Sequence, residues 1–372
     1  MTGGTMGGAK PDAGTTAGSG TMGAGGTAGG AVAEAGANPD ASASTDASVS
    51  SDGGAGDSAV STDGGPSPTD GLKTMCQSHE RMGCRTFTSP TGKEVELGPY
   101  GAAMDVNVGQ GFENTVSASD NESSCRSFAK QFGQSEESTN KLLDLMGTDL
   151  KLYTVYRPAV WKAGEKYPVV SWGNGTCAQP EGYATLLRYV ASHGFIVVAA
   201  NSRYVGSGTA QKRALDFIFK ANEDSASPYF GKVDTTRVAA MGHSQGSQGT
   251  IAAASDARIK SVILFNVGQS ASKPFFAISG DRDIAGPLSS YKSAVSRATI
   301  KAAYMWMHMI PGTGSATGHL TLMQQPERLT GATVAWLKYT LSDDAESKTW
   351  FSGTTCMLCG HDADYEFASK NI

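Results

Sequence analysis

Gly242-His243-Ser244-Gln245-Gly246 fits the pattern Gly-x-Ser-x-Gly, and it is the one match in the chain. With 47 glycines and abundant serine, the pentapeptide alone carries little weight, so its context decides. A strand-like run, Thr236 to Ala240, precedes it, and a helix-compatible run, Gln248 to Ala254, follows. A serine nucleophile needs that setting. A sharp strand-to-helix turn lifts the hydroxyl clear of the backbone, two glycines leave room where side chains would collide, and the helix N-terminus faces developing negative charge.

A serine hydroxyl is a poor nucleophile at neutral pH. It needs a base within hydrogen-bond reach, and the base needs an orienting carboxylate. When the nucleophile sits on such a turn, the expected chain order is Ser, then Asp or Glu, then His. Ser279-Gly280-Asp281-Arg282-Asp283 follows a predicted strand, and Gly318-His319 lies in the loop after the last one. His319 fits the base best. His79 is in an irregular region, His193 abuts a helix-stopping glycine, His308 falls inside a predicted strand, and His361 is near the terminus. His243 adjoins the serine, so its ring is expected to point into packing. The orienting acid is Asp281 or Asp283, the other one capping the turn or pairing with Arg282. Two backbone N–H groups must face the developing oxyanion. Gln245, after the nucleophile, supplies one, and Asn174 in Gly173-Asn174-Gly175 is the candidate for the other.

These residues need a frame that brings them together. Short apolar runs at Tyr167–Trp172, Phe195–Ala200, Ser261–Phe265, Pro274–Ile278 and Ala302–Ile310 read as strands, and a further strand spans Leu150–Tyr156. Helical spacing appears over Tyr183–Ser192, Lys212–Asn222, Pro287–Ala298 and Gln324–Leu341. Buried strands alternating with helices predict a mostly parallel, doubly wound α/β sheet covered on both faces. Ligands bind such sheets at the carboxyl ends of the strands. The elbow, the Gly173-Asn174 loop and the Asp281/Asp283 loop all fall there.

Composition divides the 372-residue chain sharply. Residues 1–70 hold no aromatic residue, and their eight acidic side chains against Lys10 give −7. The whole chain is −5, which leaves +2 for the remainder. The acidity therefore belongs to the tail and does not suggest a nucleic-acid partner. Such a segment cannot bury enough apolar surface to offset its chain entropy and is expected to be a disordered linker. Residues 71–372 are expected to form one domain, since roughly 300 residues suffice for a single large core. No apolar run approaches the ~20 residues of a membrane span. No signal peptide is visible after Met1. The tail resembles the spacer that follows the lipidated cysteine of bacterial surface lipoproteins. A secreted or cell-surface protein, attached through this tail and lacking its leader here, is the expectation, with a monomeric domain.

The cysteines are Cys76, Cys84, Cys125, Cys177, Cys356 and Cys359. Cys356-Met357-Leu358-Cys359, with His361, could form half a zinc site, but the spacing matches no standard four-ligand pattern. Disulfides pinning the two ends of the domain suit an oxidising compartment better, so neither metal nor cofactor is expected.

Three further stretches carry a family resemblance: Leu187-Arg188-Tyr189-Val190-Ala191-Ser192-His193-Gly194-Phe195, Tyr229-Phe230-Gly231-Lys232-Val233-Asp234-Thr235-Thr236-Arg237, and Gly331-Ala332-Thr333-Val334-Ala335-Trp336-Leu337-Lys338. Residues 149–362 resemble the secreted α/β-hydrolases that include bacterial cutinases and polyester (PET) hydrolases. The resemblance implies the α/β-hydrolase fold, Ser244 as nucleophile and His319 as base. The family's acid is followed closely by Ile-Ala-Pro, and Asp283-Ile284-Ala285-Gly286-Pro287 looks like a shifted version. That favours Asp283 and leaves Asp281 as the alternative. The family's aromatic clamp is altered: Asn174 stands where an aromatic is expected, Gln245 replaces methionine, and Asn266-Val267-Gly268-Gln269 replaces a tryptophan-bearing segment. The implied activity is cleavage of small or polymeric esters, with aromatic polyester in doubt. Acyl transfer or amide cleavage on the same residues, or a binding module on a degenerate hydrolase fold, are the rival readings.

Overall fold

The computed structural model describes residues 86–88, 94–109, 125–127, 153–309, 318–361 and 363–372. The chain divides into two units, Met1–Thr62 and Asp63–Ile372. The first unit, the linker expected over residues 1–70, and Cys76 and Cys84 lie outside the described residues.

β1 (Thr86–Thr88) pairs antiparallel with β2 (Glu94–Glu96) in a small two-stranded sheet. The main sheet has nine strands: β3 (Ala103–Val108), β4 (Tyr153–Arg157), β5 (Tyr167–Gly173), β6 (Ile196–Ala200), β7 (Val233–His243), β8 (Ser261–Phe265), β9 (Phe275–Gly280), β10 (Ala302–Met307) and β11 (Tyr365–Lys370). Their order is β11-β10-β9-β8-β7-β5-β6-β4-β3. The run from β10 to β6 is parallel throughout, and β11, β4 and β3 are antiparallel to their neighbours. Strands buried on both faces need apolar side chains at every position, and β5, β6, β8, β9 and β10 are buried along their whole length.

Alternation sends neighbouring residues to opposite layers. On one face Trp172, Val197, Ile263 and Met305 meet Leu186, Leu187 and Val190 of α1 (Ala184–Ser192) and Trp336 of α5 (Thr330–Ser342). On the other, Val198, Val262, Leu264 and Tyr304 meet Leu215 and Ile218 of α2 (Thr209–Glu223) and Tyr291 and Val295 of α4 (Leu288–Ser296). Helix α3 (Gln245–Ala253) follows β7 directly.

The connection leaving β5 runs to β6 on one side, and the one leaving β7 runs to β8 on the other. β5 and β7 are neighbours, so the sheet's topological switch lies between their carboxyl ends, where a doubly wound sheet opens its crevice.

The sequence boundaries shift in three places. β10 ends at Met307, which puts His308 just beyond the strand. The terminal helix expected from Gln324 is broken by Pro326: a short helix covers Thr321–Gln324, a turn Pro326–Arg328, and α5 begins at Thr330. β11 closes an edge that the sequence reading left unassigned.

The described disulfides also differ from the expected pattern. Cys356 bonds to Cys359, closing a local loop, so these two sulfurs do not form half of a zinc site. Cys125 bonds to Cys177, in the loop after β5. Neither bridge joins the ends of the domain. Among the described residues no cluster of His, Cys, Asp and Glu could hold a metal ion, and no helix is long and apolar enough to cross a membrane.

Candidate active site

One residue separates β7 from α3, and it is Ser244. Its φ of +53° and ψ of −115° lie outside the regions that non-glycine residues usually occupy, and such strain gathers at functional sites. The surroundings enforce it. Ser244 N–H donates to the Phe265 carbonyl at 2.9 Å, and its own carbonyl accepts from Ser247 N–H at 2.9 Å. A Cβ at Gly242 would stand 2.3 Å from the Gly246 carbonyl oxygen, and one at Gly246 would stand 2.0 Å from that of Gly173. Gln211 braces the turn from below, its Nε2 donating to the Met241 carbonyl at 3.0 Å and to Thr250 Oγ1 at 2.8 Å. Ser244 itself remains partly exposed.

His319 and Asp283 meet at 2.7 Å, Nδ1 to Oδ1, with the carboxylate fully buried and the imidazole nearly so. Asp283 Oδ1 also accepts from Ala285 N–H at 2.9 Å. Its Oδ2 accepts from Asn266 Nδ2 at 3.2 Å, from Tyr291 OH at 3.1 Å and from the Ser279 hydroxyl. Burial alone would raise this carboxyl's pKa. The hydrogen bonds from His319, Ser279 and Ala285 outweigh burial and hold it below the usual carboxylate range. An ionised Asp283 can only accept, so His319 Nδ1 carries the proton of this bond.

Asp281 serves elsewhere. Its carboxylate accepts from Trp306 Nε1 at 2.7 Å and Met309 N–H at 3.2 Å, and it lies 3.3 Å from His308 Nδ1. It caps the end of β10. The structure thus brings Asp283, and not Asp281, to His319. Asn266, with φ of +63°, ties the two loops by donating to Asp283, to Ser279 Oγ and to the Gly318 carbonyl.

His243 turns inward, where its Nε2 contacts the His319 carbonyl at 2.9 Å and its Nδ1 contacts Tyr183 OH at 2.9 Å. His319 and the residue before Ser244 are thereby linked.

The expectation for Asn174 requires correction. Asn174 is completely buried, and its amide accepts from Trp172 Nε1 at 2.9 Å and donates to the Ala200 and Ser202 carbonyls. An oxyanion is about the size of a water oxygen and cannot reach a fully enclosed N–H. Thr176, two residues on, is the residue of this loop that lines the cleft with Ser244 and Gln245. Gln245 occupies the first position of α3, where backbone N–H groups lack intrahelical partners. Its side-chain oxygen accepts from Val205 N–H at 2.9 Å.

The cleft holds about 380 Å³, and its walls include Gln248, Val267, Gln269, Ala285 and Ser290. A larger hollow of about 890 Å³, near Tyr153, Phe217 and Tyr229, contains none of the candidate residues. The sequence reading missed Thr176, Asn266, Ser279, Tyr291 and Tyr183. Only Ser279, at the end of a strand and four residues before Asp283, gave a usable signal.

Burial governs two other histidines. It pushes the His243 pKa down to about 3, helped by the neighbouring His319, and that of His193 down to about 4, helped by Lys338. Between these values and the unfolded value of about 6.5, the unfolded chain holds a proton on each that the folded chain does not. Stability therefore falls as pH drops through that window, by about 1.4 kcal/mol per pH unit for each histidine. Urea midpoints should decline between pH 7 and 5.5, above the range in which most carboxylates titrate. A flat profile there would show that these rings become protonated without unfolding.

The strand order, the serine elbow at the switch point and the buried Asp–His pair define an α/β-hydrolase fold. The PETase family model, described as PET hydrolase-like, matches residues 151–366, more than half of the chain, and the chain belongs to that family. It is 26% identical to "Cutinase est1" of Thermobifida alba over 211 residues, which cover 51% of this chain and 65% of the cutinase. The match thus spans just under two thirds of that relative.

Proposed function

We propose that this chain is a serine carboxylic-ester hydrolase that works through an acyl-enzyme on Ser244. The observation that carries the reading is the strained, partly exposed Ser244 at the strand-to-helix turn, together with a buried Asp283–His319 pair at 2.7 Å whose imidazole lies 4.9 Å, ring centre to ring centre, from the adjacent His243. Ser244 Oγ attacks the ester carbonyl carbon as His319 Nε2 takes its proton. The carbonyl π electrons move to oxygen, and backbone N–H groups of Gln245 and of the Thr176 loop stabilise that oxyanion. Collapse expels the alcohol, which takes the proton from His319. Water then enters, loses a proton to the same imidazole and attacks the acyl carbon; the acyl–Oγ bond breaks, the acid departs and the imidazolium returns the proton to Ser244 Oγ. Asp283 orients the ring and supports the imidazolium. These steps use only groups of the chain.

Substrate preference follows from the walls. Gln248, Gln269, Thr176 and Ser290 present hydrogen-bonding groups, and Val267 and Ala285 are small. Flat aromatic surfaces hold aromatic polymer through large buried area. This cleft's described walls offer none, so soluble short- to medium-chain esters are the proposed substrates. Membership of the PET hydrolase-like family and the similarity to a cutinase support ester cleavage, and an exported or surface-attached protein is proposed with it.

A panel of p-nitrophenyl esters beside a polyester film tests this. Fast turnover of the soluble esters with little terephthalate release is the expected result. Efficient release from film would overturn the substrate reading. Inactivity on every ester, with turnover of amides or acyl transfer to alcohols, would overturn the reaction class.

A further inference from the structure

We propose that Tyr183 and His243 are positioning residues: a buried hydrogen-bond chain that fixes the backbone of His319 to the loop facing Ser244. The proposal rests on the roles assigned above to Ser244 and His319. Its links run in one direction. The His319 carbonyl cannot donate, so His243 Nε2–H donates to it at 2.9 Å. In a neutral ring Nδ1 must then accept, and Tyr183 O–H donates to it at 2.9 Å. Tyr183 oxygen in turn accepts from Gly175 N–H at 2.9 Å. Gly175 precedes Thr176, which lines the cleft. The chain thus crosses from the base to the loop opposite, passing the residue before the nucleophile.

Packing alone does not account for it. Tyr183 and His243 are 1% and 4% exposed, and neither lines the cleft. Tyr183 lies 4.8 Å from Trp172, ring centre to ring centre, in the main core, where phenylalanine would fill the same space without burying a hydroxyl. Gly175 is fitted to the same chain. A Cβ there would lie 2.7 Å from His243 Nδ1 and 2.9 Å from Tyr183 OH. Gly175 and Tyr183, 8 residues apart, and His243, 60 residues beyond Tyr183, converge on one hydrogen-bond path. The low proton affinity of His243 keeps its ring neutral and the direction of the chain unique.

The test compares Tyr183→Phe, His243→Phe, the double variant, His243→Gln and Gly175→Ala on one soluble p-nitrophenyl ester. Rates are referred to active sites titrated with a fluorophosphonate, so that misfolded protein does not count. Tyr183→Phe, His243→Phe and Gly175→Ala should each lower kcat by about 10–100-fold, with KM within about 2-fold, as a small misplacement of reacting groups does. The double variant should be no worse than the poorer single within about 3-fold, because both break one path. His243→Gln, whose amide nitrogen can stand in for Nε2, should recover part of the loss seen in His243→Phe. Unchanged kcat per titrated site with only a lower Tm would overturn the proposal. So would losses that multiply, or losses carried by KM. Should Tyr183→Phe fail to fold, the contrast between His243→Gln and His243→Phe decides alone. Ser244→Ala, run alongside, separates the two levels: wild-type turnover there would sink the site assignment and the positioning chain with it.

Discussion

Asp283→Asn should keep the fold and lower kcat by about 10⁴, the size of loss known for the best-studied triad. The asparagine amide would donate where the carboxylate accepts, stabilise the wrong histidine tautomer and leave the imidazolium unsupported. The cradle around Asp283 makes the loss specific. Ser279, Asn266, Tyr291 and Ala285 donate to it in addition to His319, and an amide cannot satisfy all of them as an acceptor. Asp281→Asn should cost less than about 10-fold, because that carboxylate meets Trp306 and Met309, not His319. Both are measured as kcat on one soluble ester. A mild Asp283→Asn beside a crippling Asp281→Asn would reverse the assignment of the acid.

The second large effect is expected at the elbow. Gly246→Ala would place a methyl group 2.0 Å from the Gly173 oxygen, 2.4 Å from the Gly173 carbonyl carbon and 2.5 Å from the Asn174 oxygen. All three are backbone atoms, so no side-chain rotation relieves the collision. Either α3 moves away from the end of β5 or the Gly173–Thr176 loop is displaced. Overpacking of this kind costs about 1–3 kcal/mol or more, and displacement of either element moves a proposed oxyanion donor. The expected result is a lower Tm together with a fall in kcat/KM of about 100-fold or more. Gly286→Ala, in the loop after Asp283, is the matched control, since its nearest neighbour would be Ser290 Oγ at 3.9 Å. If Gly246→Ala behaves like Gly286→Ala, the elbow is not as tight as these distances imply.

Much of this site was legible in the chain because its determinants are local. Apolar runs such as Ser261–Phe265 mark strands buried on both faces. The Gly-x-Ser-x-Gly turn marks itself, and loops at strand ends limit which Asp and His can follow. The unread part depends on contacts between segments far apart. Nothing near Tyr291 shows that its hydroxyl reaches Asp283, and Tyr183 and His243 are 60 residues apart. Asn174 shows where local reasoning fails. A tight loop after β5 was foreseeable, but which of its N–H groups faces outward depends on the Asn174 side chain being drawn inward to Trp172, Ala200 and Ser202. β11 escaped notice because Tyr-Glu-Phe-Ala-Ser-Lys is an edge strand, only half-buried along its length. Pro326 did carry a warning that the last helix could not be continuous.

Mass-spectrometric mapping of a fluorophosphonate-labelled sample measures directly whether Ser244 is the nucleophile. One phosphonyl group per chain is expected, on the peptide containing Ser244. Labelling should slow greatly in Asp283→Asn, and both labelling and ester hydrolysis should be lost in Ser244→Ala. A label on a different serine, or undiminished hydrolysis by Ser244→Ala, would contradict it.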